Sequence, residues 1–341
     1  MHSHSIPAYP FPRVDVAVSI GYNSEHKKDV VTINGNVTTV ADMGKDALRT
    51  LVANVARELG YTQETGFDPD GFILNLNINS QSKEIALHAD NGAAADSRPC
   101  YGYACNETSL YLPKSAVLAK GISDALDAEF YSTDSILGPD GKTQVTVQYK
   151  DGRTVVHNAV IHVQHKGARY PTILENELKK YLKGVLELAT EDAEVNMRLF
   201  RKGGPRTDKG QSGTKTLMYG EAVPNGGGVF WGLDPTKPEF YGTAVARQIA
   251  KSIVANGLAE RCKVHVAYFM GSKEPRVFIE SSPDDDIRWL LAPQKIPSLF
   301  PLIPAEAIQE YGLRNPATIS SIIDDGFIGN AELPWERIVS L

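Results

Sequence analysis

Apolar and polar residues alternate near the start of the chain, the pattern of a β-strand with one buried face. Valine or isoleucine occupies every second position from Val14 to Ile20. A second apolar run at residues 30–33 follows a polar turn, so the two segments predict a hairpin. Apolar residues at helical spacing across 48–59 then predict a helix that ends at Gly60, and residues 71–79 predict a further strand. The expected order is therefore hairpin, helix and strand.

The middle of the chain shows the same kinds of pattern. A proline suits the start of a helix, and Pro113 predicts one that continues to about Phe130. Residues 144–149 and 155–164 alternate as strands and flank Asp151-Gly152, a dipeptide typical of tight hairpin turns. Pro171 is expected to start another helix, because apolar residues recur at helical spacing after it.

The C-terminal part contains the most distinctive stretch. Three glycines at 226–228 precede Asp234-Pro235, which is a helix-start signal. Apolar spacing predicts a helix from about Glu239 that stops at Gly257, and alternation predicts a buried strand at 264–269. A glycine loop that leads into a helix N-terminus suits an anion. The same pattern is also that of a tight turn before a core helix.

These elements predict an α+β fold of three units, each with strands and helices. We place an N-terminal unit at 1–97, a central unit at 98–222 and a C-terminal unit at 223–341. Residues 86–97 are rich in glycine and alanine and have little to bury. They are expected to form either a mobile lid or a plain linker.

Composition narrows the class of protein. The 341 residues carry a net charge of -6 and a pI near 5.8, which argues against a nucleic-acid-binding protein. The three cysteines show no metal-ligand spacing and are expected to be reduced thiols of a cytoplasmic protein. No apolar run approaches the ~20 residues of a membrane span, and no secretory signal is apparent.

Several motifs, in order along the chain, resemble those of the S-adenosylmethionine synthetase (methionine adenosyltransferase) family. Gly226 to Lys237 has the pattern Gly-Gly-Gly-x-Phe-x-Gly-x-Asp-Pro-Thr-Lys. It is followed by Ala-x-Ala-Arg-x-Ile-Ala-Lys and Gly-Leu-Ala-Glu-Arg-Cys. Similar motifs stand at Gly102–Thr108, Leu137–Thr146, Gln164-His165, Gly203–Pro205 and Pro334–Glu336. Each motif alone is weak, but an ordered series of this length is not expected by chance.

The resemblance implies a reaction in which methionine sulfur attacks C5′ of ATP and the triphosphate leaves, to be cleaved afterwards. A thioether needs no deprotonation, so no general base is required. The protein must align two substrates and stabilise a highly charged leaving group. The resemblance also implies Mg²⁺, and an active site at the interface of a homodimer or homotetramer whose sheets pack between subunits. Ser19 stands where the family has a potassium-site Glu, which argues against potassium dependence.

Site residues follow from the resemblance position by position. Lys142 and Lys215 match triphosphate-binding lysines, Asp140 and Phe200 match adenine contacts, and Asp208 matches a ribose contact. Gln81, Asn36, Asp96 and Lys237 match the methionine side, and Glu239 stands where the family has a metal-binding Asp. Without the resemblance, these lysines are as well explained as solvated charges, Asp140 as a turn residue and Phe200 as core.

This chain also departs from the family pattern. The opening Gly-His-Pro-Asp-Lys segment, with its catalytic His and metal-binding Asp, has no match. Asn36 replaces a Glu, Thr214 an Arg and Leu233 a Lys. A basic run could replace the lost cations or could be a solvated loop; it comprises Arg198, Arg201, Lys202, Arg206 and Lys209.

Two other functions stay open on these grounds. One is a catalytically impaired paralogue that binds nucleotide or S-adenosylmethionine, or that supports a full-length partner in a hetero-oligomer. The other is a related adenosyltransferase that uses a different thioether or nucleotide.

Overall fold

The computed structural model describes residues 12–39, 44–132, 135–166, 171–186, 194–208, 210–211, 218–220, 222–223, 232–282 and 295–341. In these ranges the chain forms three sheets with helices packed on them, so the predicted α+β class is confirmed. None of the helices in the described ranges is long and apolar enough to cross a membrane.

The first sheet is built from the predicted hairpin, helix and strand. Strands β1 (Arg13–Asn23) and β2 (Lys28–Thr38) pair antiparallel. Helix α1 (Lys45–Glu58) then leads to β3 (Ile73–Asn79), which lies parallel to β2. The two-residue strand β8 (Gly210–Gln211) pairs with the other edge of β1. The spacing of apolar residues predicted β1, β2, α1 and β3 correctly, but it did not predict the pairing of β8 with β1.

The second sheet repeats this arrangement. Strands β5 (Leu137–Lys150) and β6 (Arg153–His165) form a hairpin, and α4 (Pro171–Leu186) leads to β7 (Glu194–Phe200), which lies parallel to β6. Asp151-Gly152 forms the turn as predicted, with positive φ angles of 51° and 72°. Helix α3 (Lys114–Phe130) packs against β5. The two sheets thus share a topology that the sequence does not show as a repeat.

The third sheet joins distant parts of the chain. Strand β9 (Arg261–Tyr268) lies between β10 (Arg276–Ser282) and β4 (Arg98–Cys105), and both pairings are antiparallel. Strand β4 lies in the predicted central unit, which begins at residue 98, yet it pairs with β9 of the predicted C-terminal unit. The third sheet therefore combines strands from two of the predicted units. The division into three domains stays a prediction.

Helix α5 (Pro238–Ala255) packs on this sheet and is buried along almost its whole length. A Cβ at Gly102 in β4 would lie 2.1 Å from the backbone carbon of Ala246. Only glycine therefore allows α5 to approach the sheet this closely. The helix begins at Pro238, which confirms the start predicted at about Glu239. The Asp234-Pro235 signal before it forms a separate turn, in which Asp234 Oδ1 accepts hydrogen bonds from the N–H and hydroxyl of Thr236.

The stretch 86–97, predicted to have little to bury, is packed. Its first half belongs to helix α2 (Lys83–Asp90), and the alanines at 93–95 are at most 6% exposed. The expectation that this stretch has little to bury is thus wrong, because Ala94 belongs to the core around the third sheet and exchanges backbone hydrogen bonds with Gly271 and Ser272. Its motion as a lid stays a prediction.

The tail adds short helices over the third sheet: α6 (Lys295–Leu299), α7 (Pro304–Glu310) and α8 (Pro316–Asp325), followed by a 3₁₀ turn at Pro334–Glu336. The three cysteines, two in β4 and one in β9, are buried free thiols. Burial raises the pKa of Cys105 and of Cys262 to about 12. They therefore serve as core residues.

Candidate functional site

Asp140 and Lys142 lie near the start of β5, where its pairing with β6 is irregular. The register shifts between residues 137 and 141, and such a bulge re-aims neighbouring side chains. Lys142 Nζ is 2.9 Å from Asp208 Oδ2, and Asp140 Oδ2 accepts a hydrogen bond from Gly204 N–H at 3.0 Å. The structure thus brings together three residues expected at the nucleotide.

The glycines of the Gly203–Pro205 motif permit this close approach. A Cβ on Gly203 would lie 2.7 Å from Asp140 Oδ2, and one on Gly204 would lie 2.7 Å from the carbonyl oxygen of Gly66. Gly204 also has a φ of +66°, which side chains disfavour. The motif therefore holds a turn of the first sheet's unit against the start of β5.

Phe200 lies at the end of β7, opposite Gln164 of β6. The buried Gln164 amide donates hydrogen bonds to the carbonyl oxygens of Thr65 and Arg201 at 2.6 and 3.1 Å. Phe200 is half-buried beside this junction. Its expected stacking on adenine stays a prediction.

A cavity of about 1060 Å³ lies between the first and second sheets. One wall is apolar and comes from β1, β2 and α1, whereas Asp140, Lys142, Gly204 and Asp208 line a polar edge. Tyr61 also lines it, and burial together with the charge of Asp140 raises the pKa of Tyr61 to about 12. An apolar cavity with a few convergent polar groups is the usual form of a small-molecule site.

One of the cations proposed as a replacement has a structural partner. Arg206 binds the buried carboxylate of Asp29 through Nη2 at 3.1 Å and donates to the Gln63 carbonyl oxygen at 3.0 Å. Arg206 therefore ties the start of β2 to the turn after β7. Lys209, Lys215, Thr214 and the glycine loop at 226–228 lie outside the described residues.

Lys237, just before α5, forms a second charged group. Its Nζ is 3.0 Å from Asp15 Oδ2 and 3.4 Å from Asp96 Oδ2. Burial acts to lower the pKa of Lys237, but the hydrogen bonds and charges of the two carboxylates outweigh it, so the pKa is raised. Lys237 is therefore a buried, fully charged ammonium at pH 7, held by two acids from different elements.

The other residues expected at the methionine side lie around the same end of the first sheet. Asn36 is the cross-strand partner of Asp15. Arg13, two residues before Asp15, donates to Gln81 Oε1 at 3.4 Å and forms an ion pair with Asp90. Arg13 and Asp15 were not among the site residues expected from the sequence. The alternation along β1 placed both on the polar face of the strand, which was the available signal.

Glu239 was expected to bind a metal ion. Its Oε1 is 3.2 Å from Arg98 Nε, whereas Oε2 is buried and has no hydrogen-bond partner. In the ranges that the structure describes, no three His, Cys, Asp or Glu side chains are grouped as metal ligands. Because an arginine already pairs with Glu239, the described residues do not fit a metal site built by the protein there.

The nucleotide-side group around Lys142 and the methionine-side group around Lys237 lie on opposite faces of β1. Val14 and Val16 line the cavity with Lys142, and Asp15 between them faces the other way, since side chains alternate along a strand. Lys237, bound to Asp15, is therefore beyond β1 from Lys142. Within the described part of one chain, the nucleotide-side and methionine-side residues do not share a pocket.

Comparison with known proteins gives consistent results. The family models for the S-adenosylmethionine synthetase central domain and C-terminal domain match residues 91–200 and 202–337. S-adenosylmethionine synthase of Aquifex aeolicus (strain VF5) is 33% identical over 327 residues, covering 92% of this chain and 85% of the relative. That of Kosmotoga olearia is 32% identical over 338 residues, covering 91% and 84%. An unusual S-adenosylmethionine synthetase from Campylobacter jejuni has the same fold, with a TM-score of 0.84 at 23% identity, covering 96% of this chain and 88% of that one.

Proposed function

The chain belongs to the S-adenosylmethionine synthetase family, and on that premise we propose that it transfers the adenosyl group of ATP to the sulfur of methionine. The observation that carries the proposal is the meeting of Asp140, Lys142 and Asp208 at the polar edge of one cavity. These are the residues whose motifs match the family's nucleotide contacts. The products would be S-adenosylmethionine, phosphate and diphosphate.

In this reaction a sulfur lone pair forms the S–C5′ bond while the C5′–O bond breaks, and the triphosphate leaves with the bonding electrons. Lys142 would then stabilise the negative charge on the leaving group. In the structure Lys142 pairs with Asp208, so substrate would replace this contact: phosphate oxygens at Lys142 and ribose hydroxyls at Asp208. Such charge-assisted contacts are among the stronger hydrogen bonds in proteins.

The sulfur becomes a sulfonium, which favours a negative environment. Asp96 would lie near that cation, and Lys237 near the carboxylate of methionine. Since these residues are across β1 from Lys142, we propose that a complete site forms between protomers, as in a homodimer or homotetramer. The expected Mg²⁺ would reach the site with the triphosphate. A cytoplasmic location is supported by the buried free thiols.

A second candidate is a nucleotide-binding subunit that needs a catalytic partner subunit of the same family. It is favoured by the pairing of Arg206 with Asp29, because that arginine does not supply a replacement for the cations lost at Thr214 and Leu233. Mixing with such a homologue would restore activity in this case, and the purified chain alone would be inactive.

The test is to incubate the purified protein with ATP, Mg²⁺ and methionine, and to measure S-adenosylmethionine by mass spectrometry together with phosphate release. Lys142→Ala should lower turnover by about 100-fold or more, because one donor to developing charge is lost. Lys120→Ala is the matched control, since Lys120 also forms an exposed ion pair, with Asp124. Both variants should keep the wild-type circular dichroism spectrum. Unchanged turnover in Lys142→Ala would remove Lys142 from the site.

A further inference from the structure

Asp15 is an acid at the candidate methionine side that the family motifs do not include. Its side chain is 23% exposed, and its Oδ2 is 3.0 Å from Lys237 Nζ. It lies on the face of the first sheet turned away from the cavity, directly across the strand pair from Asn36. It can therefore be reached from the same space as Asn36, Asp96 and Lys237.

The ionic groups around Asp15 do not balance. Lys237 pairs with both Asp15 and Asp96, so one ammonium serves two carboxylates. Around them, Arg13 pairs with Asp90 and Arg98 pairs with Glu239. Among the residues that the structure describes, the ion pairs of this group thus join four carboxylates to three cationic side chains, one carboxylate more than the cations. A partly buried excess charge is costly unless a cation from elsewhere offsets it.

Buried polar atoms beside the same group also lack partners. Tyr241 is fully buried, and its hydroxyl has no hydrogen-bond partner in the described structure. The charges of Glu239 and Asp96 are close enough to add to the effect of burial and raise the pKa of this hydroxyl. Glu239 Oε2 is likewise buried without a partner. Since buried polar groups are normally satisfied, these atoms point to a polar ligand at the start of α5.

We propose that Asp15 binds the α-ammonium group of the amino-acid substrate and so restricts the second substrate to amino-acid thioethers. This inference rests on the proposed function. The ammonium brings a positive charge to Asp15. Asn36, across the strand pair, is neutral and cannot form an ion pair with the ammonium. Lys237 stays available to the substrate carboxylate, so the zwitterion places one charge on each partner. A thioether acid without the amine would leave the Asp15 charge uncompensated.

Equilibrium binding tests this selectivity without requiring turnover. Calorimetry on the purified full chain, with Mg²⁺ and an ATP analogue that carries a methylene group in place of the C5′-bound oxygen, would compare methionine with 4-(methylthio)butanoate, which lacks only the amine. The wild type should favour methionine by about 10- to 100-fold, the range expected for a hydrogen bond to a charged group. Asp15→Asn should reduce that ratio to within about threefold of unity. Asp124→Asn, at the exposed ion pair with Lys120 on α3, should leave it unchanged.

A second experiment moves the negative charge from one strand to the neighbouring strand. The double variant Asp15→Asn with Asn36→Asp moves the carboxylate across the strand pair and should restore at least about a tenfold preference for methionine. A wild-type ratio near one, a ratio retained in Asp15→Asn, or no recovery in the double variant would each overturn the inference. Because the ratio is taken within each variant, partial misfolding does not mimic the result. If the ratios behave as expected but no S-adenosylmethionine forms, the proposed function alone fails.

Discussion

Helix α5 holds charged side chains in two different ways. In its middle, Arg247 and Lys251 meet Glu336 of the C-terminal 3₁₀ turn, and all three are at least 91% buried. At its start, Lys237 and Glu239 meet acids and an arginine from three other elements, and several of these side chains remain partly exposed. Both groups are ionic, but only the group at the start is partly exposed.

The group in the middle uses all five N–H donors of Arg247. Arg247 donates to both Glu336 oxygens and to three backbone carbonyls, those of Tyr103, Leu110 and Tyr111. The remaining Glu336 acceptors receive Lys251 Nζ at 2.7 Å and the Gly329 N–H at 3.0 Å. All three side chains are enclosed, so the role of this group is to hold the C-terminal turn on the helix.

Among the described residues, the group at the start of the helix has one carboxylate more than its cationic side chains, and the Tyr241 hydroxyl beside it has no partner. Burial of charge alone therefore does not distinguish structure from function on this helix. What distinguishes the two groups is access, because the middle group is enclosed and the group at the start is partly exposed. The enclosed network should govern stability, and the accessible one should govern ligand binding.

Glu336→Gln should have the largest effect on stability. It leaves the charges of Arg247 and Lys251 buried without a counter-ion, and breaking a buried ion pair in this way costs about 3–5 kcal/mol. Chemical unfolding can be followed by tryptophan fluorescence, because the buried Trp335 adjoins the network. Asp124→Asn, which breaks the exposed pair with Lys120, should change the unfolding free energy by less than about 0.5 kcal/mol. Equal losses of unfolding free energy in Glu336→Gln and Asp124→Asn would contradict the stabilising role given to the buried network.

A smaller effect is expected from acid in the wild type. Burial acts to raise the pKa of Glu336, but Arg247 and Lys251 outweigh it, so the pKa lies below its ordinary value of 4.5. The folded state therefore holds the proton less tightly than the unfolded state. The stabilisation is present above pH 4.5 and is lost as the pH falls through the lower, folded pKa. Unfolding free energy should fall more steeply below pH 4.5 in the wild type than in Glu336→Gln. Parallel curves would contradict this.

Features of this fold that depend on neighbouring residues in the sequence could be predicted, whereas those that depend on contacts between distant segments could not. Periodicity over a few residues identifies β1, α1 and α5, because a strand or helix that buries one face must repeat that face locally. The pairing of β4 with β9 and of β8 with β1 joins segments more than 150 residues apart. No local pattern records such pairings.

The same limit applies to the candidate site. The motifs placed Lys142 and Asp208 at one ligand, and the structure brings them to 2.9 Å. Asp15 was seen only as the polar position of an alternating strand, since its partner Lys237 is distant in sequence. Lys215 and the glycine loop at 226–228 lie outside the described residues, so their roles stay predictions.

The smallest expected effect comes from two tyrosines in edge-to-face contact, with ring centroids 4.9 Å apart. Tyr268 donates its hydroxyl to the Leu302 carbonyl oxygen at 3.0 Å, whereas the Tyr241 hydroxyl has no partner in the described structure. Tyr268→Phe should cost about 1–3 kcal/mol because it leaves a buried carbonyl unsatisfied. Tyr241→Phe should be neutral within about 0.5 kcal/mol or stabilising, since it removes a buried hydroxyl that bonds to nothing. Both variants lose one oxygen from the same ring pair, so unfolding free energies measured side by side isolate the hydrogen bond. A cost for Tyr241→Phe as large as that for Tyr268→Phe would mean that its hydroxyl already has a partner, and the start of α5 would then offer no unpartnered hydroxyl to a ligand.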